Sequence, residues 1–154
     1  MPLDKKNLEE IKRIITKFFE KMGFEIRIET ILPKEETLPV SIKIEDPKIL
    51  IGEKGKTLAE IQHLLRAIII KKIGERIFLD LDISDYKKKK YQYLRELARS
   101  LADEVALTKN EKALSPMPAS ERRIIHLELA ERKDVVTESM GEEPGRRIIV
   151  RPYP

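Results

Sequence analysis

At 154 residues, 41% of them hydrophobic and 38% charged, the chain is long enough for one ordinary domain or two small ones and is not a disordered tail. Lys and Arg outnumber Asp and Glu by 31 to 27, giving a formal charge of +4 and a pI near 9.2, a basic balance well short of a histone-like excess. With no cysteine, a disulfide framework and a thiolate metal site are both excluded, and the two histidines, His63 and His126, lie too far apart to suggest a zinc site unaided. The N-terminus is charged within five residues and lacks an apolar signal core, and the longest aliphatic runs are as short as Ala67 to Ile70. These features predict a cytoplasmic protein with no membrane insertion.

In chain order, Leu8, Ile11, Ile15, Phe18 and Met22 recur at three- and four-residue steps, which predicts a helix from Asp4, its N-cap, to Met22, with Gly23 as its stop. Phe24, Ile26 and Ile28 alternate with Glu25, Arg27 and Glu29, the period of a half-buried strand. A loop from Pro33 to Pro39 leads to a second alternation, Val40, Ile42 and Ile44, so two antiparallel strands are expected. Asp46 and Pro47 open a short helix, aspartate as cap and proline at the first helical position. That helix ends at Gly52. A longer one follows, with Leu58, Ile61, Leu65, Ile68 and Ile69 on one face and Gly74 at its end, and Ile77, Leu79 and Leu81 then mark a third strand.

Between the two helices stands Ile-Gly-Glu-Lys-Gly-Lys-Thr-Leu, residues 51–58. Two glycines three apart, followed by a helix N-terminus, let backbone N–H groups approach an anion, because glycine has no Cβ and tolerates positive φ. The bare four-residue pattern on its own reads as a plain glycine turn between helices, and only its context favours the anion site. The element order helix, strand, strand, helix, glycine loop, helix, strand makes an α+β sandwich of three strands with helices on one face. With the loop in that position, it resembles a type II KH domain. The resemblance implies a loop that clamps the backbone of unpaired nucleotides beside an apolar base groove. Carried over, Gly52, Glu53, Lys54 and Gly55 form the clamp, with Lys56 and Thr57 as further phosphate contacts. Glu53 departs from the usual basic or neutral residue there, and a carboxylate near phosphate opposes binding.

After Ile83 the character changes. Ser84 is the expected cap of a helix using Leu94, Leu97, Ala98, Leu101 and Val105, whose first turns carry Lys87, Lys88, Lys89 and Lys90 among Tyr86, Tyr91 and Tyr93. This is either a solvated charged face, with Asp85 and Lys89 paired four apart, or a basic strip with aromatic rings on which bases stack. Ser115 to Pro118 is a proline-rich turn before a helix that presents Arg122 and His126 on one surface, where guanidinium and imidazole could meet phosphate or a base. Taken alone, Arg-xxx-His on a helix reads as an exposed polar face. Val135 to Ser139 and Arg147 to Val150 read as strands around a turn, Gly141 to Gly145, with Glu142, Glu143 and Pro144 at its tip.

The run from Pro116-Met117-Pro118 through Glu121-Arg122-Arg123-Ile124-Ile125-His126 and Thr137-Glu138-Ser139 to Gly141-Glu142-Glu143-Pro144 and Arg146-Arg147 resembles the single-stranded nucleic-acid-binding domain named for arginine, three residues, then histidine. A type II KH domain fused to it, residues 1–83 followed by 84–154, is similar to the Jag or KhpB (SpoIIIJ-associated) family of bacteria. Many members carry a further N-terminal domain; this chain starts almost at the first KH helix. The resemblance implies a non-catalytic protein that binds single-stranded RNA, with single-stranded DNA as an alternative ligand, in post-transcriptional control affecting cell shape, with a small KH-only protein as partner. The candidate RNA contacts are Gly52, Glu53, Lys54, Gly55, Lys56, Thr57, Lys87, Lys88, Tyr91, Arg122 and His126, and no cofactor, metal or catalytic residue is expected. The rival readings are a nuclease using His126 with Glu121 or Glu128, which lacks a carboxylate cluster spaced for two metals, and a protein scaffold.

Overall fold

A computed structural model describes residues 3–154 of the chain. It divides into two compact units, one running to Lys88 and the other spanning Lys89–Pro154.

In the first unit, helix α1 (Lys5–Lys21) starts where Asp4 accepts a hydrogen bond from the Asn7 N–H at 2.7 Å, and it buries Ile11, Ile14, Ile15 and Phe19. Gly23 then takes φ +88°, and the Phe24 N–H returns to the Phe19 carbonyl at 2.9 Å. Phe24 thus belongs to the helix exit, and strand β1 (Arg27–Ile31) begins three residues later than the alternation from Phe24 predicts. β2 (Thr37–Lys43) pairs antiparallel with β1, Ile28 opposite Ile42, with a register shift between Ile28 and Thr30. The expected loop from Pro33 to Pro39 is shorter: Lys34 and Thr37 exchange backbone bonds of 2.9 and 2.8 Å, and Pro39 lies inside β2. Proline is tolerated there because its carbonyl accepts from the Leu32 N–H at 3.1 Å, just beyond β1, so the missing donor falls outside the ladder.

Helix α2 (Lys48–Ile51) has Pro47 at its N-cap position with no side-chain cap bond, so the predicted cap, Asp46, is one residue too early. A single 3-10 turn, Glu53–Gly55, joins it to α3 (Lys56–Ile73), which buries Leu58, Ile61, Leu65 and Ile69 and ends on Gly74 at φ +79°. β3 (Phe78–Ile83) runs parallel to β2, giving the order β1-β2-β3. Leu38, Val40, Ile42, Leu79, Leu81 and Ile83 from the sheet meet the buried residues of α1 and α3 in one core. This is the α+β arrangement that the periodicities predict.

Helix α4 (Tyr86–Thr108) follows a bend in which Ser84 and Asp85 have φ of +49° and +60°. Ser84 is not its cap. The Ser84 hydroxyl lies 3.4 Å from both the N and O of Ile44, and Asp82 instead accepts the Lys87 and Lys88 N–H groups at 2.8 and 3.2 Å. The division between units accordingly falls after Lys88, five residues past the expected boundary, because Tyr86 packs on the first core and Lys87 is bonded to β3.

The second unit holds the remainder of α4, β4 (Lys112–Ala113), α5 (Ala119–Leu129), β5 (Val135–Met140) and β6 (Arg147–Pro152), with strand order β4-β6-β5. Its core is Leu94, Ala98, Ala102 and Val105 of α4 with Ile125, Leu129, Val135, Ile148 and Val150. Leu97 and Leu101, expected on the same apolar face, are only half-buried. β4 is two exposed residues long and carries no hydrophobic period, which is why the sequence does not announce it. No helix among the described residues is long and apolar enough to cross a membrane.

Candidate nucleic-acid interface

The glycine loop is built by three positive-φ residues within four positions. Gly52 has φ +73° and ψ −177°, Lys54 has φ +54°, and Gly55 has φ +77°. Space reinforces conformation at both glycines. A Cβ on Gly52 would fall 2.2 Å from Thr57 Oγ1, and one on Gly55 2.8 Å from Tyr86 Cε1. Thr57, expected as a phosphate contact, is therefore half-buried against Gly52 and closes the loop, while Glu53, Lys54 and Lys56 are exposed. The chain places two ammonium groups at the N-terminal end of an eighteen-residue helix, where its dipole also favours an anion. Ile49 of α2, three residues before Gly52, is 70% exposed and supplies apolar surface beside the loop.

The open edge of β3 is covered by polar side chains of α3 and α4. Gln62 Oε1 accepts from the Leu81 N–H at 3.0 Å, and Arg66 Nε donates to the Ile77 carbonyl at 3.1 Å. Lys87 Nζ donates to Gln62 Oε1 and to Asp80 at 2.8 Å, so this ammonium is committed to the protein and is not the free phosphate contact that the lysine run suggests. Lys88 is exposed. Tyr91 is half-buried against the second core, which removes it as a freely presented stacking ring, whereas Tyr93 is 55% exposed with Lys90 Nζ 5.9 Å from its ring centroid. The expected Asp85–Lys89 ion pair does not form among the described residues.

Arg122 and His126 both project from α5, but neither is presented freely. Arg122 is 7% exposed; its Nη1 donates to the Met117 carbonyl at 2.9 Å and to Glu143 Oε1 at 2.8 Å. Glu143 is thus more than a turn-tip residue. It neutralises a buried guanidinium while keeping most of its own side chain in solvent. The His126 ring is held by the hydroxyls of Thr137, 2.6 Å from Nδ1, and Ser139, 2.9 Å from Nε2, both on β5. Burial, with the Arg122 charge adding to it, holds its pKa below the ordinary 6.5. The pair fastens α5 to β5 and to the turn before β6. Sequence spacing cannot reveal this, because Glu143 is 21 residues from Arg122 and meets it only in the folded register.

The second unit coincides with a known family: residues 92–152 match the R-3-H domain, the Arg-xxx-His module. RNA-binding protein KhpB of Clostridium symbiosum is 40% identical over 116 residues, 75% of this chain and 52% of that protein. Over the length it shares with them, this chain is similar to the KhpB proteins. KhpB of Bacillus subtilis is 33% identical over 79% of this chain and 59% of its own length, and that of Lactiplantibacillus plantarum 36% over 66% and 32%. The chain therefore spans between about a third and three fifths of the length of these KhpB relatives.

Chemically, the arrangement offers the exposed ammonium groups of Lys54 and Lys56 at a helix N-terminus. Among the described residues no group of three or more His, Asp or Glu could hold a metal ion. His126 has hydroxyl partners on both ring nitrogens, and Glu128 is paired with Arg99 at 3.1 Å, so the nuclease pairing of His126 with Glu128 is not assembled.

Proposed function

We propose that this chain binds single-stranded RNA without acting on it chemically, with residues 51–57 gripping the sugar-phosphate backbone. The observation that carries this reading is the loop itself: both glycines are required by φ and by space, and Lys54 between them and Lys56 just after them stand in solvent at a helix N-terminus. The KhpB relatives are named RNA-binding proteins, which supports the same ligand for this chain. The glycine loop and Lys88 supply the exposed contacts of the first unit. In the second, Arg122 acts chiefly by fixing the turn that holds Glu143, and a phosphate reaches its guanidinium only by replacing that carboxylate. The finer proposals are a post-transcriptional role in the cytoplasm, tolerance of single-stranded DNA, and a small protein partner.

Titrating the chain with a labelled single-stranded RNA, the same sequence as DNA, and a duplex tests the reading. Single strands should bind with the label intact after incubation with Mg²⁺ or Mn²⁺, and Lys54→Glu with Lys56→Glu should weaken binding at least about tenfold through reversal of two phosphate contacts. A folded double variant that binds like the parent removes the loop from the site, and cleavage of the label moves the chain to the nuclease class.

A further inference from the structure

β3 begins with Phe78, whose ring lies on the strand face opposite buried Leu79 and Leu81 and remains 38% exposed. Two guanidiniums converge on it, Arg66 with Cζ 4.3 Å from the ring centroid and Arg76 at 5.6 Å. Arg66 is held in place through its Nε by the Ile77 carbonyl, and its Nη groups make no hydrogen bond among the described residues. Neither arginine has a carboxylate at ion-pair distance among the described residues. Two like charges drawn against one ring repel each other, and an anion seated between them converts that repulsion into attraction.

Position links this cluster to the glycine loop. An α-helix returns to the same face after about 11 residues, so Arg66 stands roughly 16 Å along α3 from Gly55, on the same side. That side borders the edge of β3, where Gln62 takes the Leu81 N–H between the two points. A strand leaving the loop along α3 therefore arrives at Phe78. Beyond it, Glu35, Glu36 and Glu75 line a hollow with Arg76 and repel a phosphate that continues in that direction. From this geometry we infer that Arg66, Phe78 and Arg76 form a second nucleotide site, taking one unpaired base against the ring and the Arg66 plane and the neighbouring phosphate between the two guanidiniums. The inference rests on the RNA reading of the loop and extends it to a specific aromatic-arginine contact.

The chain contains no tryptophan, so Phe78→Trp supplies a unique fluorophore at the site. Binding of a dye-labelled uridine decanucleotide to the full chain is followed by anisotropy and tryptophan emission together, with Leu107→Trp, on an exposed position of α4, as the reference. The expected result is quenching of the Phe78→Trp emission that tracks the anisotropy, no change for Leu107→Trp, and about tenfold weaker binding of Phe78→Leu with Arg76→Gln. Circular dichroism melting verifies that the double variant is folded. If the oligonucleotide binds, Lys54→Glu with Lys56→Glu weakens it, yet the emission and the affinity of the Phe78 and Arg76 variants stay at parental values, the site is overturned and the loop reading stands. If the parent itself shows no anisotropy change at low salt, both fall.

Discussion

At the scale of single residues, Arg122 decides how the second unit is held together. Its guanidinium is out of water, while the carboxylate that balances it stands largely in water, so the two partners are not equivalent. Arg122→Ala strands the Met117 carbonyl and frees the turn around Glu143, and should destabilise the unit by ~2–3 kcal/mol in urea unfolding. Glu143→Gln keeps a neutral acceptor at the same place and should cost under about 1 kcal/mol. The same substitution should raise single-strand affinity severalfold, since the competing carboxylate is gone. Unchanged or weaker binding would mean that phosphate never reaches Arg122. His126 adds a pH dependence of defined sign. Its folded pKa lies below the ordinary 6.5, so below that value the unfolded chain takes up a proton that the folded chain resists. Stability of the second unit is therefore full above pH 6.5 and declines as pH falls through that value toward the lower folded one. Urea midpoints measured from pH 7.5 down to 5 should show this decline, and His126→Gln should flatten it.

Among the elements, α4 shows where local reading of a sequence stops. Ser84 is the nearest capping residue to the start of the helical pattern, and local rules select it. The chain uses Asp82 because left-handed Ser84 and Asp85 fold the backbone back, placing the last β3 carboxylate over the Lys87 and Lys88 N–H groups. Asp82→Ala should cost ~1 kcal/mol or somewhat more, read as a lower urea midpoint for the first unit, whereas Ser84→Ala should cost less, its hydroxyl making only 3.4 Å contacts. The two cores were legible because period-two and helical spacings are local, as in Leu79, Leu81 and Ile83 or Leu58, Ile61 and Leu65. The glycine loop was legible for a similar reason: two of its three positive φ values fall on glycine, the third on Lys54. What the sequence conceals depends on tertiary register. The burial of Arg122, the capture of Lys87 by Gln62 and Asp80, the packing of Tyr86 over Gly55 and the convergence of Arg66 and Arg76 on Phe78 each join side chains from different elements.

For the whole chain, charge is spread so evenly that bulk attraction cannot hold a polyanion: 16 basic residues face 15 acidic ones up to Ser84, and 15 face 12 beyond it. Binding must then come from a few contacts at fixed places, and its salt dependence counts them. For a single strand, the slope of log K against log salt is about −0.7 for each phosphate neutralised. Lys54, Lys56 and Lys88 are exposed near the loop or at the α4 start, and Arg66 with Arg76 can add one more contact, whereas Lys87 and Arg122 are already paired. Three or four phosphates give a slope of roughly −2 to −3 between 50 and 300 mM salt. Lys54→Gln with Lys56→Gln should reduce its magnitude by about 1.4, and Lys87→Gln should leave it unchanged because that ammonium is spent on Asp80 and Gln62. A parental slope steeper than about −5 would mean that many more cations engage the strand than these sites provide. A slope near zero would mean that the chain holds its ligand through bases or protein surface, and the loop would then be a turn and no more.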